Sequence, residues 1–109
     1  MATAEQVRAR LAPEILGAQR QGPGVPIDVL DLRVPAVYPD LLVELEVRVG
    51  TERWRVSLVY DGPDASLASG DLTDVALHTL QFMVRTHLFE WWHTRDRERA
   101  SARLGTRLA

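Results

Sequence analysis

The side chains able to do chemistry are few and sit mostly toward the C-terminal end. The chain has three histidines, His78, His87 and His93, and no cysteine. Without cysteine there are no disulfides, no thiolate nucleophile and no Cys-ligated zinc or iron–sulfur centre. His87, Glu90 and His93 form an H-x-x-E-x-x-H run, which on a helix spreads three potential ligands over an arc of about 120°. It is the only compact metal candidate. It lacks the His-x-x-x-His pair of the zincin motif, and Trp91 and Trp92 sit inside it, so a polar helix surface is the expected reading and no cofactor is expected.

The other histidine pairings point the same way. His78 and His87 lie nine residues apart, on opposite sides of a helix, and cannot share a ligand sphere within one chain. Asp74, one turn before His78, makes an ordinary i,i+4 helix pair. Serine occurs at Ser57, Ser66, Ser69 and Ser101, none in a nucleophile-elbow context, so no catalytic triad is specified. Gly22-Pro23-Gly24 precedes a strand instead of following one and opening a helix, which leaves no phosphate-cradling loop. The reading leans away from an enzyme.

A contact surface is better supported. Trp92 falls into the polar stripe of its helix, one and two turns past Arg85 and Gln81, where a monomer keeps hydrophilic residues. Tryptophan and arginine dominate many interfaces, so Arg85, Leu88, Trp92 and Arg95 form the expected partner-binding patch, with a homodimer its commonest form. Trp91, pointing about 100° away, belongs to the core. Two alternatives stand beside this: a pocket between helix and sheet lined by His78, His87, Trp54 and Tyr60, and nucleic-acid binding by the tail. The tail from Trp91 to Arg107 carries five arginines against Asp96 and Glu98, with tryptophans at its root. Aromatics beside arginines can stack bases, but the alternation Arg95-Asp96-Arg97-Glu98-Arg99 suits a solvated helix with its own ion pairs, and nucleic acid is disfavoured.

Composition bounds these readings. A chain of 109 residues with net charge −2 is about one domain and not a generic polyanion binder. All thirteen basic residues are arginine, and lysine and asparagine are both absent, a pattern most simply explained by GC-rich coding. Arginine here supplies every ordinary surface cation and is discounted as a sign of phosphate binding. The first residues, MATAEQVRARLAPEIL, hold no long apolar run, so neither a signal peptide nor a membrane span is expected and a soluble, cytoplasmic protein is the default.

The elements that must position these residues follow from periodicity. The longest is a helix from Asp71, capped by Asp71 or Ser69, with Asp74 in its first turn. Leu72, Val75, Ala76, Leu77, Leu80, Phe82, Met83, Val84, Leu88, Phe89 and Trp91 cover most of its circumference, leaving a polar stripe of Asp74, His78, Gln81 and Arg85. So wide an apolar arc needs a sheet on one side and a helix or a second subunit on the other. The charged extension carries it to about residue 104, fraying toward Gly105. Thr3 and Gln6 have capping-box spacing, and Val7, Leu11, Ile15 and Ala18 draw an apolar stripe for a first helix over 1–20. Pro13 either kinks that helix or opens its main part as the first helical residue.

Between the helices, Ile27 to Val34 alternates, with Leu30, Leu32 and Val34 on one face and Val29 among the polar set. Pro35 and Pro39 bracket a connection. Leu41–Val49 and Glu52–Tyr60 flank Gly50-Thr51, a type II′ hairpin turn that makes opposed residues sum to 101. In that register Val47/Trp54, Leu45/Val56, Val43/Leu58 and Leu41/Tyr60 share one apolar face. Glu46/Arg55 and Glu44/Ser57 lie on the other, with Arg48 opposite Arg53 as a defect that Glu46 or Glu52 can relieve.

The expectation is one α+β domain over 1–109, in α-β-β-β-α order, with a three-stranded antiparallel meander over 27–60 and both helices on one face. This order resembles that of the double-stranded RNA-binding domain and of small dimeric nucleoid-associated proteins. The former grips phosphates with a lysine cluster at the start of its second helix, where this chain has Asp71 and Asp74 and no lysine, so the order by itself assigns no family and no function.

Overall fold

A computed structural model describes residues 3–20, 24–60, 72–94 and 105–108. The first helix, α1 (Ala4–Ile15), opens on the expected capping box: Gln6 N–H donates to Thr3 Oγ1 at 3.1 Å and Thr3 N–H donates to Gln6 Oε1 at 2.9 Å. Val7, Leu11 and Ile15 are its buried stripe. Pro13 neither splits the helix nor opens a second one; it lies inside the last turn, and the helix stops two residues later. The helix over 1–20 is therefore too long. Gly17 turns the chain with φ 102°, a conformation that favours glycine, and Gly17–Gln19 becomes strand β1. Gln19 folds back and donates its Nε2 to the carbonyls of Glu14 and Ile15 at 3.0 and 2.9 Å. Helix-end carbonyls that would otherwise lack donors are thereby satisfied.

Among the described residues five strands form one antiparallel sheet in sequence order: β1, β2 (Ile27–Ala36), β3 (Leu41–Val49), β4 (Glu52–Tyr60) and β5 (Gly105–Arg107). The three-stranded meander is its centre, and two three-residue strands extend it on either side. All nine β3–β4 pairs run in the expected register, from Leu41 opposite Tyr60 to Val49 opposite Glu52. Gly50 takes φ 61° and no other residue type has positive φ among the described residues, as a type II′ turn requires. The inward residues of β3 and β4 other than Glu52 and Trp54 are buried. At roughly 1.5–3 kcal/mol for each buried Val or Leu, a one-residue slip would cost about as much as the 5–15 kcal/mol that holds a domain folded.

β2 departs from the simple alternation. Its register against β3 shifts between Val29 and Asp31, so Leu30 is the extra residue of a β-bulge. Val29 is therefore buried at 3% exposure and Leu30 is 42% exposed, the reverse of the assignment that period 2 alone produces. Pro35 lies within β2, at a second irregularity, instead of ending it.

The outer face of the sheet is a lattice of charges. Arg33 and Arg55 both reach Glu44, Arg53 meets Glu46 at 3.0 Å and Arg48 meets Asp28 at 3.4 Å, while Arg107 and Glu52, 3.3 Å apart, lie at the rim of the other face, on the side of Trp54. The Glu44 hydrogen bond raises the pKa of Arg33 above its ordinary value. Arg48 and Arg53, opposed near the turn, are thus each neutralised by a different acid. Such exposed pairs contribute little singly, but they keep this face wet.

The second helix, α2 (Asp74–Thr94), packs with α1 over the inner face. Its cap is Thr73, whose Oγ1 accepts from Ala76 N–H at 3.2 Å; Asp71 and Ser69 lie outside the described residues. Asp74 meets Arg10 at 3.1 Å, which ties the start of α2 to α1. At its other end Trp91, fully buried, meets Trp54 edge-on with ring centroids 5.4 Å apart. β5 closes over this pair, placing Gly105 against the Trp91 indole. The charged extension over 95–104 lies outside the described residues. No helix among the described residues is long and apolar enough to cross a membrane.

Candidate functional site

α2 buries Leu80, Gln81, Val84, Leu88, Phe89 and Trp91. Sheet and α1 do not cover the whole apolar arc: Val75 is 76% and Phe82 67% exposed. These two are seven residues apart and share a stripe on the side of α2 turned from the core. Gln81, expected in the polar stripe, is only 4% exposed, so the outward stripe is rotated from the one drawn on sequence alone and has Phe82 at its centre.

Beside Phe82 lies an open cleft of about 230 Å³ between α2 and the end of β1, lined by Gln19, Arg20, Phe82, Arg85, Thr86 and Phe89. Gln19, nearly buried, is fixed there by its two bonds to the end of α1. That anchor carries Arg20 to the cleft. No carboxylate is among the described residues that line it. Elsewhere in the described chain Arg8, Arg10, Arg33, Arg48, Arg53, Arg55 and Arg107 each meet an aspartate or glutamate.

The four residues expected to form a contact patch separate. Arg85 lines the cleft and is partly exposed. Leu88 is 0% exposed and belongs to the core, so it is corrected from a surface residue to a packing residue. It lies one turn from Val84, on the side that sheet and α1 cover. Trp92 is half-buried, packed on the core and on Trp91 with ring centroids 6.0 Å apart. Arg95 lies outside the described residues.

The expected pocket residues do not converge. His87 stacks on Tyr60 with centroids 5.3 Å apart, and its Nδ1 shares a hydrogen bond of 3.1 Å with the Tyr60 hydroxyl. Trp54 is taken up by Trp91, and His78 is exposed at the opposite end of α2. Asp74 faces Arg10 instead of His78. His87 and Glu90 border a separate cleft of about 210 Å³ with Leu58 and Val59, which like the cleft beside Phe82 is smaller than the roughly 300–1,000 Å³ of most ligand pockets. His87, Glu90 and His93 do not assemble: among the described residues no cluster of three or more His, Asp or Glu side chains could hold a metal ion.

Phe82 was within reach of sequence reasoning. Its helical neighbours at three and four residues are His78, Thr79, Arg85 and Thr86, all polar, which marks it as outward-facing. Arg20 and Gln19 carry no such signal, because their positions depend on the turn at Gly17. Comparison of the chain with protein-family models, curated proteins and solved structures finds no match in any of the three.

Proposed function

We propose that this chain is a non-catalytic protein that acts by binding another protein chain, a second copy included, through the outward face of α2 around Phe82. The observation that carries the reading is the 67% exposure of Phe82 on a helix whose other side is buried, with Val75 on the same stripe and Arg85 beside it. Large aromatic side chains and arginine are enriched at interfaces, and Phe82 beside Arg85 supplies that pairing on an exposed face. This moves the contact from the Leu88/Trp92 end to the middle of the helix.

Two measurements test it. Sedimentation velocity over a wide concentration range reads self-association, and selection of random peptides displayed on phage against the folded protein reads capture of a foreign segment. Phe82→Ser is expected to abolish whichever is seen while leaving the thermal midpoint nearly unchanged. Association or peptide capture that survives Phe82→Ser sinks the reading.

A further inference from the structure

We propose that the cleft between β1 and α2 receives an acidic segment of the partner, with a carboxylate held by Arg20 and Arg85 and an adjoining apolar side chain laid on Phe82. The inference rests on the proposed function and adds the chemistry of the partner. Among the nine described arginines, seven are engaged by the chain's own acids, and the two that are not, Arg20 and Arg85, line the same cleft. Chance scatter over a surface whose arginines are otherwise neutralised does not favour that coincidence. Guanidinium groups match carboxylates in planar, bidentate geometry, and two of them facing a cleft without an acid leave a local positive potential in a chain of net charge −2. Complementary charge of this kind selects partners and steers their approach.

The ring of Phe82 and the nearly buried ring of Phe89 supply the apolar half of the site. A free small carboxylate would leave Phe82 uncovered in so open a cleft, whereas a peptide can place an aliphatic or aromatic neighbour on it. A nucleic acid would need a track of cations for successive phosphates, and the described arginines beyond the cleft are already paired with acids. The site is anchored at one side by the Gln19 bonds to α1, next to Arg20, and at the other by the helix that carries Arg85.

The test uses the full chain. Peptides selected from a random phage library are expected to be enriched in Asp or Glu next to apolar residues. Their affinity should fall about tenfold or more on Arg20→Glu or Arg85→Glu, and by about twofold or less on Arg48→Glu, on the outer face of the sheet. Because both cleft arginines are unpaired, their reversal should leave the circular dichroism and thermal midpoint intact. Self-association abolished by both reversals identifies the occupant as an acidic stretch of a second copy. Peptides without acidic enrichment, or affinity unchanged by both reversals, overturn the inference; if Phe82→Ser still removes that binding, the proposed function survives alone. Binding insensitive to all three changes, or a library that yields no binder, counts against both. Displacement of the peptides by a mixed-sequence oligonucleotide in an arginine-dependent manner would assign the cleft to phosphates and overturn it as well.

Discussion

Gly105 lies so close to Trp91 that a Cβ added to it would stand 2.3 Å from the indole nitrogen and 2.8 Å from the adjoining ring carbon. The last strand therefore seats on β4 only because one residue has no side chain. Gly105→Ala should push β5 off the Trp91 ring or distort the ring's packing, at a cost of roughly 1–3 kcal/mol. Chemical denaturation checks the loss, and tryptophan fluorescence should report water reaching Trp91 and Trp54, whose Nε1 atoms are buried without a hydrogen-bond partner among the described residues.

Gly50 offers the opposite case. A Cβ there meets nothing within 4 Å, but φ is 61°, so Gly50→Ala should cost about 1–2 kcal/mol through backbone strain alone. Denaturant midpoints of the two glycine variants should both drop, while only the Gly105 change alters the fluorescence of the native state.

Leu88 and Phe82 separate packing from recognition. Leu88→Ala is expected to lower stability by about 2–5 kcal/mol, with any remaining folded protein still able to bind. Phe82→Ser should change stability by no more than about 0.5 kcal/mol and remove binding. Equilibrium unfolding and peptide titration on both variants make the comparison, and exchanged phenotypes would contradict the placement of the two side chains.

Gln19→Ala removes the donor shared by the Glu14 and Ile15 carbonyls, an expected loss of about 1–3 kcal/mol. Since the same side chain holds β1 against the end of α1, the change should also weaken acidic-peptide binding even though Gln19 itself need not touch the peptide. Hydrogen exchange at Ala18 and Gln19 should quicken in parallel. Weakened binding with unaltered exchange would show that Gln19 acts by contact and not by positioning.

How far the chain could be read depended on whether each signal was local. The β3–β4 hairpin was legible because nine opposed pairs repeat one constraint, and the capping box of α1 because Thr3 and Gln6 need only each other. β1 was not, since Gln19 reaches back to carbonyls whose exposure depends on where Pro13 and Gly17 stop the helix. Leu30 misled because a bulge breaks period 2 without a composition mark. β5 was hidden behind a charged run with helical spacing, and its seat depends on Trp91, fourteen residues earlier. Of the residues lining the cleft, Arg85 falls in the polar stripe that the sequence draws, whereas Phe82 counts with the apolar arc until its neighbours at three and four residues, all polar, are weighed.

The bulge at Leu30 and the proline at position 35 both fall in β2, and the strand joined to it on the far side spans only three residues. Proline has no amide hydrogen to offer, and a bulge twists the backbone away from a regular ladder. Such margins make a poor template for strand-by-strand stacking into fibrils. On this side of the sheet, meeting a partner is left to side-chain fit instead of main-chain zippering.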